Sequence, residues 1–404
     1  MAIAKARVVE TSAAAAWLVD GARSAPGPAA VLMELCERLL ASGVRLWRVA
    51  VYVRTLHPQV MGRSIKWRHG DGIEMSEAPF SLAETKEYKD STIARIYATG
   101  IAIRRRIADP SCPLDFAVLA ELRAEGATDY LAAPLHMSDG VIHVATWTTR
   151  EPGGFTEAEI AGIESILAPL ARVSEIRALR RTGVNLLDTY VGRHAGERIL
   201  AGHIRRGDTE AIHAAIWLSD MRGFTQLADR LPPQTLIDLL NSYFDCQVPA
   251  IMAQGGEVLK FMGDGLLAIF PLVPGEADAG SVCEQALAAA LQARAQVAKL
   301  AESAADESAR GLRFGLALHL GEVMYGNIGS GNRLDFTSIG PAVNLAARLE
   351  KLAARLQRSI VASSAFAGCC GPGLMPLGQF TLPGFSAVET VYGLPGEGAG
   401  PDPA

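Results

Sequence analysis

Two aspartates stand in short apolar runs of this chain, and they constrain its fold more than any other feature. The first lies in Trp217-Leu218-Ser219-Asp220-Met221-Arg222-Gly223-Phe224-Thr225, the second in Lys260-Phe261-Met262-Gly263-Asp264-Gly265. A carboxylate at the end of a buried strand is costly unless something binds it. Asp264 falls at the Gly-flanked tip of a hairpin predicted over Glu257 to Phe270, and Asp220 closely follows a strand predicted over Ile212 to Leu218. If those strands are neighbours, both acids meet at one edge of a sheet. Either Asp alone reads as a turn residue. Together they suggest a divalent metal and a nucleoside triphosphate, since Mg²⁺ usually takes one or two carboxylates plus phosphate oxygens.

The rest of the chain divides into regions by pattern. From Pro28 to Ile176 helix and strand signals mix: a helix over Val31 to Leu40, a strand over Leu46 to Val53, and two strands, Leu131 to Leu135 and Val141 to Trp147, joined by a Ser138-Asp139-Gly140 turn. Thr156 with Glu159 forms a capping box that opens a helix whose apolar positions Ile160, Ile163, Leu167, Leu170 and Val173 follow three-four spacing. Pro169 lies inside it as a potential kink. Residues 177–210 read as a helical linker, with Leu186, Leu187, Tyr190 and Val191 suited to pairing with a second copy. Arg205-Arg206-Gly207-Asp208 reads as a solvated polar turn. Residues 211–394 alternate strands and helices, with further strands over Leu312 to Ile328 and Phe336 to Ile339 and a helix over Ala342 to Leu356. Residues 395–404, rich in Gly and Pro, read as a disordered tail.

Composition narrows the partners. A net charge of −5 argues against a general nucleic-acid binder. No apolar run is long enough to span a bilayer, and the start of the chain lacks the basic-then-apolar order of a signal peptide, so a soluble cytoplasmic protein is expected. The six cysteines contain no CxxC pair and read as small buried hydrophobes of a reduced protein without structural zinc. His57, His69, His136 and His143 lack neighbours that would mark haem or metal ligation and read as structural.

Three separate runs carry a family resemblance. Asp220-Met221-Arg222-Gly223-Phe224-Thr225, Lys260 to Asp264, and Asn344-Leu345-Ala346-Ala347-Arg348 together resemble, in order and spacing, the class III nucleotidyl cyclase catalytic domain. The resemblance implies an α+β, ferredoxin-like catalytic core over residues 211–394 that works as a homodimer with sites at its interface. It implies that Asp220 and Asp264 hold two Mg²⁺ or Mn²⁺ ions, that Asn344 orients the ribose, and that Arg348 stabilises charge on the α-phosphate. Gly223, Phe224 and Thr225 open a helix, where backbone N–H groups favour phosphate.

By the same resemblance Lys260 and Thr337 read the base. A lysine donates to adenine N1 but has no acceptor for the N–H groups on guanine's edge, so ATP is expected over GTP. The alternatives are a guanylate cyclase on the same scaffold, or a catalytically silent nucleotide-binding module. Two departures from the family pattern stand out. Thr381-Leu382-Pro383-Gly384-Phe385 has no basic residue before Gly384, where many relatives place a triphosphate contact, and Pro341 follows Gly340 where relatives often carry a charge. Residues 28–176, a sheet with a late hairpin and a closing helix, resemble a GAF-type sensory domain, which implies a small-molecule or protein signal there.

Overall fold

The computed structural model describes residues 9–273, 275, 278–303, 310, 312–331 and 333–397. The chain forms two compact units that divide between Leu186 and Leu187.

In the N-terminal unit α1 (Ser12–Val19) and α2 (Pro28–Ala41) precede the hairpin-linked strands β1 (Arg48–Arg54), β2 (Val60–Arg68) and β3 (Gly72–Pro79). Short helices α3 (Lys86–Lys89) and α4 (Thr92–Thr99), strand β4 (Ile103–Arg105) and α5 (Ala117–Ala124) follow. The hairpin β5 (Asp129–His136) and β6 (Ile142–Thr149) leads into α6 (Glu157–Val191). The six strands form one antiparallel sheet in the order β3-β2-β1-β6-β5-β4. Alternation decides its two faces: Val49, Val51 and Trp147 join α1, α2 and α6 in one core, while Tyr130, Ala132 and Val144 join α4 and α5 in another.

The expected capping box forms at the start of α6: Glu159 N–H donates to Thr156 Oγ1 at 3.2 Å, and Thr156 N–H donates to Glu159 Oε2 at 2.8 Å. Pro169 sits inside a helix that continues to Val191. The compact unit begins earlier than residue 28, because α1 buries Ala14 and Leu18 in the same core as α2.

The C-terminal unit opens with α7 (Arg193–Leu200), then β7 (Thr209–Arg222), α8 (Phe224–Arg230), α9 (Pro233–Asp245), α10 (Val248–Ala253), and the hairpin β8 (Glu257–Met262) and β9 (Gly265–Pro271). Next come α11 (Ala279–Ser303), β10 (Arg313–Ser330), β11 (Arg333–Ile339), α12 (Pro341–Arg355), β12 (Ile360–Ala362), α13 (Ser364–Ala367), β13 (Met375–Thr381) and β14 (Val388–Gly393). Seven strands run in the order β13-β14-β12-β10-β7-β9-β8, and β11 pairs with β10. One face, with Trp217 and Phe270, packs on α9, α10 and α11; the other, with Ile216, Leu218 and Tyr325, packs on α7 and α12. The result is a mixed α+β fold.

Three expectations change here. The segment read as a linker over residues 177–210 is not one piece: it ends α6, then forms α7, whose Ala195 is buried in the core of the C-terminal unit. Asp220 lies within a strand rather than after one, since pairing with β10 carries β7 as far as Arg222, opposite Arg313. The expected tail over residues 395–404 is ordered at its start, where Glu397 accepts from Arg294 Nη1 at 2.5 Å and from Ser359 N–H at 3.0 Å; residues 398–404 lie outside the described residues. Among the described residues no helix is long and apolar enough to cross a membrane.

Candidate active site

The two aspartates converge. β7 and β9 are antiparallel neighbours, with Ser219 opposite Leu266, and the β8–β9 register pairs Met262 with Gly265, which leaves Gly263 and Asp264 as the turn. Gly265 makes the approach possible: a Cβ there would lie 2.5 Å from the Ser219 carbonyl oxygen. The register sets Asp264, in the β8–β9 turn, beside the end of β7 that carries Asp220. Burial and the neighbouring Asp220 carboxyl push Asp264 up to about 7. Two acids forced together in this way invite a cation between them. Among the described residues no cluster of three or more His, Cys, Asp or Glu could hold a metal alone. A two-carboxylate site instead fits an ion that completes its shell with phosphate oxygens and water.

The backbone around Asp220 is braced. Tyr243, fully buried, donates its hydroxyl to the Asp220 carbonyl at 2.9 Å. Arg222 lies 3.7 Å from Asp220 Oδ2 and forms a close ion pair with Glu350 of α12. Sequence reading passed over Tyr243 and Glu350, since neither stands in a charged or Gly-rich run. Gly223 caps α8 without a side-chain acceptor. The N–H groups of Gln226 and Leu227 bond back to its carbonyl, and those of Phe224 and Thr225 have no backbone or side-chain acceptor among the described residues. Unbonded N–H groups at a helix start are suited to an anion.

Lys260 is not a lone solvated lysine. Its ammonium forms an ion pair with Asp335 of β11, both side chains being about half exposed. Asp335 and Thr337 are two apart on one strand, so they share a face beside Lys260. Asp335 was legible in principle from that period, but a carboxylate ahead of an aromatic residue carried no signal of its own. Asn344 is exposed on α12, and Arg348, four residues on, follows on the same face, donating Nε–H to the Pro383 carbonyl at 3.1 Å. The opposite face buries Ala346, Leu349 and Ala353. Among the described residues no hydrogen bond or ion pair joins Asn344 or Arg348 to Asp220 or Asp264. The chain thus carries two groups of site residues, an acidic one and a helix-borne polar one, with no hydrogen bond or ion pair between them among the described residues.

Residues 209–381 match the model of the adenylate and guanylate cyclase catalytic domain. This segment is an adenylate/guanylate cyclase catalytic domain. The cyclase domain has relatives that carry an enzyme name. The terminal-differentiation-specific adenylate cyclase of Dictyostelium discoideum is 32% identical over 160 residues, 38% of this chain and 7% of that protein. An adenylate cyclase of Anabaena cylindrica is 30% identical over 154 residues, 37% of this chain and 29% of that protein. This chain therefore spans only a minor part of either relative. Among solved structures, a bacterial light-regulated adenylyl cyclase is 29% identical, with 46% of this chain and 91% of that chain covered and a TM-score of 0.41.

Proposed function

We propose that the protein is an adenylate cyclase that converts ATP to 3′,5′-cyclic AMP and pyrophosphate at the interface of a homodimer, under control of its N-terminal unit. The observation that carries this reading is the register that sets Asp264, in the β8–β9 turn, beside Asp220 at the end of the neighbouring β7, just before α8. Mg²⁺ or Mn²⁺ ions held by these carboxylates, two per site, would supply Lewis-acid polarisation of the phosphates and of the ribose 3′-hydroxyl. The N–H groups of Phe224 and Thr225, following Gly223, face the triphosphate. Lys260 donates to adenine N1, with Asp335 holding the ammonium in place and Thr337 beside it. From the second copy, Asn344 fixes the ribose and Arg348 meets charge on the α-phosphate. The 3′-oxygen then bonds to the α-phosphorus as the bond from that phosphorus to the bridging oxygen breaks. Pyrophosphate leaves, and the hydroxyl proton passes to solvent. The exposed position of Asn344, and the lack of any bond from it or Arg348 to the acids, support completion of the site by a partner copy.

The N-terminal unit is proposed as a GAF-like sensory domain, on the strength of its six-stranded antiparallel sheet closed on one face by α6. A turnover assay with ATP or GTP and Mg²⁺ or Mn²⁺, identifying the cyclic product, tests the reading. Cyclic AMP with pyrophosphate is expected. Faster formation of cyclic GMP would assign the guanylate reaction, and no cyclic product under any condition would leave a silent nucleotide-binding module.

A further inference from the structure

A second cleft, of about 400 Å³, opens on the cyclase domain between the start of α12 and the segment that leads into β14. Its floor is β10. His319 is 8% exposed and lines the cleft. Its Nδ1 lies 2.8 Å from Ser363 Oγ. That hydroxyl is fully buried and already accepts the Phe366 N–H at 3.2 Å. A buried hydroxyl must also place its own proton, and Nδ1 is the one acceptor recorded for it among the described residues. The imidazole is therefore the neutral tautomer with its proton on Nε2. No partner for that Nε2–H occurs among the described residues. Gly321 keeps it open: a Cβ at that position would come within 2.9 Å of Nε2 and 2.8 Å of the Ala342 Cβ. Any side chain there would plug the cleft and cover the donor.

The other walls are of two kinds. Leu345 and Phe385 are apolar, while Glu322 and Glu389 supply carboxylates, and among the described residues no Lys or Arg lines the cleft. Glu389 is fixed by Ser364, which donates its N–H at 2.7 Å and its hydroxyl at 2.8 Å. Glu322 stays exposed, with His213 at 3.9 Å its one charged partner among the described residues. A buried single donor, apolar walls and an acidic mouth make up a small-ligand site of ordinary size.

We propose that this cleft binds a small organic cation: a molecule with a carbonyl-type acceptor for His319 Nε2–H, a flat apolar body against Leu345 and Phe385, and an ammonium between Glu322 and Glu389. A mouth with two carboxylates and no basic lining residue among the described residues disfavours phosphate.

The test uses the full chain and three probes of one shape: 4-(aminomethyl)benzamide, neutral 4-methylbenzamide and anionic 4-carboxybenzamide. Titration followed by ¹H–¹⁵N spectra of the histidine rings reads affinity and contact together, the His319 signal being assigned by its loss in His319→Gln. The amine is expected to bind and move the His319 Nε2 resonance, the neutral probe to bind more weakly, and the anion not to bind. Glu322→Gln combined with Glu389→Gln should weaken the amine by about tenfold and bring it near the neutral probe. The exposed Glu322→Gln change alone should give part of that loss without disturbing the fold. Equal affinity of the three probes, an amine affinity indifferent to both Gln changes, or no movement of the His319 signal up to about 10 mM amine would overturn the proposal.

Discussion

Glu159 in the N-terminal unit and Asp264 in the cyclase domain are both acids set among apolar strands and helices, and the chain treats them in opposite ways. Glu159 has a 2% exposed side chain and is answered on every side: Arg45 meets it at 2.9 Å, and the Thr156 N–H and hydroxyl reach it at 2.8 and 2.9 Å. Burial pushes its carboxyl up, but the bonds from Arg45 and Thr156 outweigh this and hold it down at about 2. Asp264 is given another carboxylate instead of a cation, and burial together with that neighbour raises it to about 7. The lesson is one of partners rather than burial. An acid whose donors are supplied by the fold is structural, and an acid placed against a second acid leaves a position for something the fold does not supply.

The sharpest way to break this contrast is to remove one member of the acidic pair. Asp220→Ala should lower ATP turnover by about a thousandfold or more under the adenylate cyclase reading, measured as cyclic AMP formed at saturating Mn²⁺, while the thermal midpoint stays near that of the parent. Full turnover in this variant would remove the metal assignment. In the N-terminal unit the order reverses. Glu159→Gln should cost about 2–3 kcal/mol of stability, because Arg45 and the start of α6 lose their anion, and should show as a lower urea midpoint of that unit. The sign with pH follows: the folded carboxyl titrates at about 2, below its ordinary value of 4.5, so its stabilisation is complete above that ordinary value and is lost as pH falls toward 2. A midpoint insensitive to pH between those limits, or equally sensitive in Glu159→Gln, would contradict the account.

Smaller effects refine the comparison. Asp264→Asn should raise the stability of the metal-free protein by about 1 kcal/mol by relieving the repulsion, and should lose the further rise that Mn²⁺ gives the parent. Smallest is the Lys260–Asp335 pair. Both side chains are about half exposed, so Asp335→Asn should change stability by less than about 1 kcal/mol. Its effect belongs in the ratio of kcat/KM for ATP to that for GTP, which should fall when Lys260 loses its holder. An unchanged ratio would show that Lys260 needs no fixing.

Much of this was legible before any coordinates. The capping box at Thr156 and Glu159, the late hairpin around Asp139, the turn at Gly263-Asp264 and the helix bearing Asn344 and Arg348 all have local causes, and local causes are written in short runs. The hairpin of β2 and β3 was missed because β3, from Gly72 to Pro79, is mostly exposed and lacks an apolar face to betray it. The last elements, β12, α13, β13 and β14, were missed because they are short and add to the edge of a sheet whose centre lies far away in sequence. The same holds within the site. Asp220, Asp264 and Lys260 stand in telling runs, but Glu350 beneath Arg222, Tyr243 beneath Asp220 and Asp335 beside Lys260 become partners only when distant strands and helices close on one another.

The central claim is that Asp220 and Asp264 form one shared cation site, and Mn²⁺ binding followed by electron paramagnetic resonance in the presence of a non-cyclisable ATP analogue tests it most directly. The account predicts saturable nucleotide-dependent Mn²⁺ binding to the parent chain, and its loss in Asp220→Asn and in Asp264→Asn alike. Undiminished binding in either variant would contradict it.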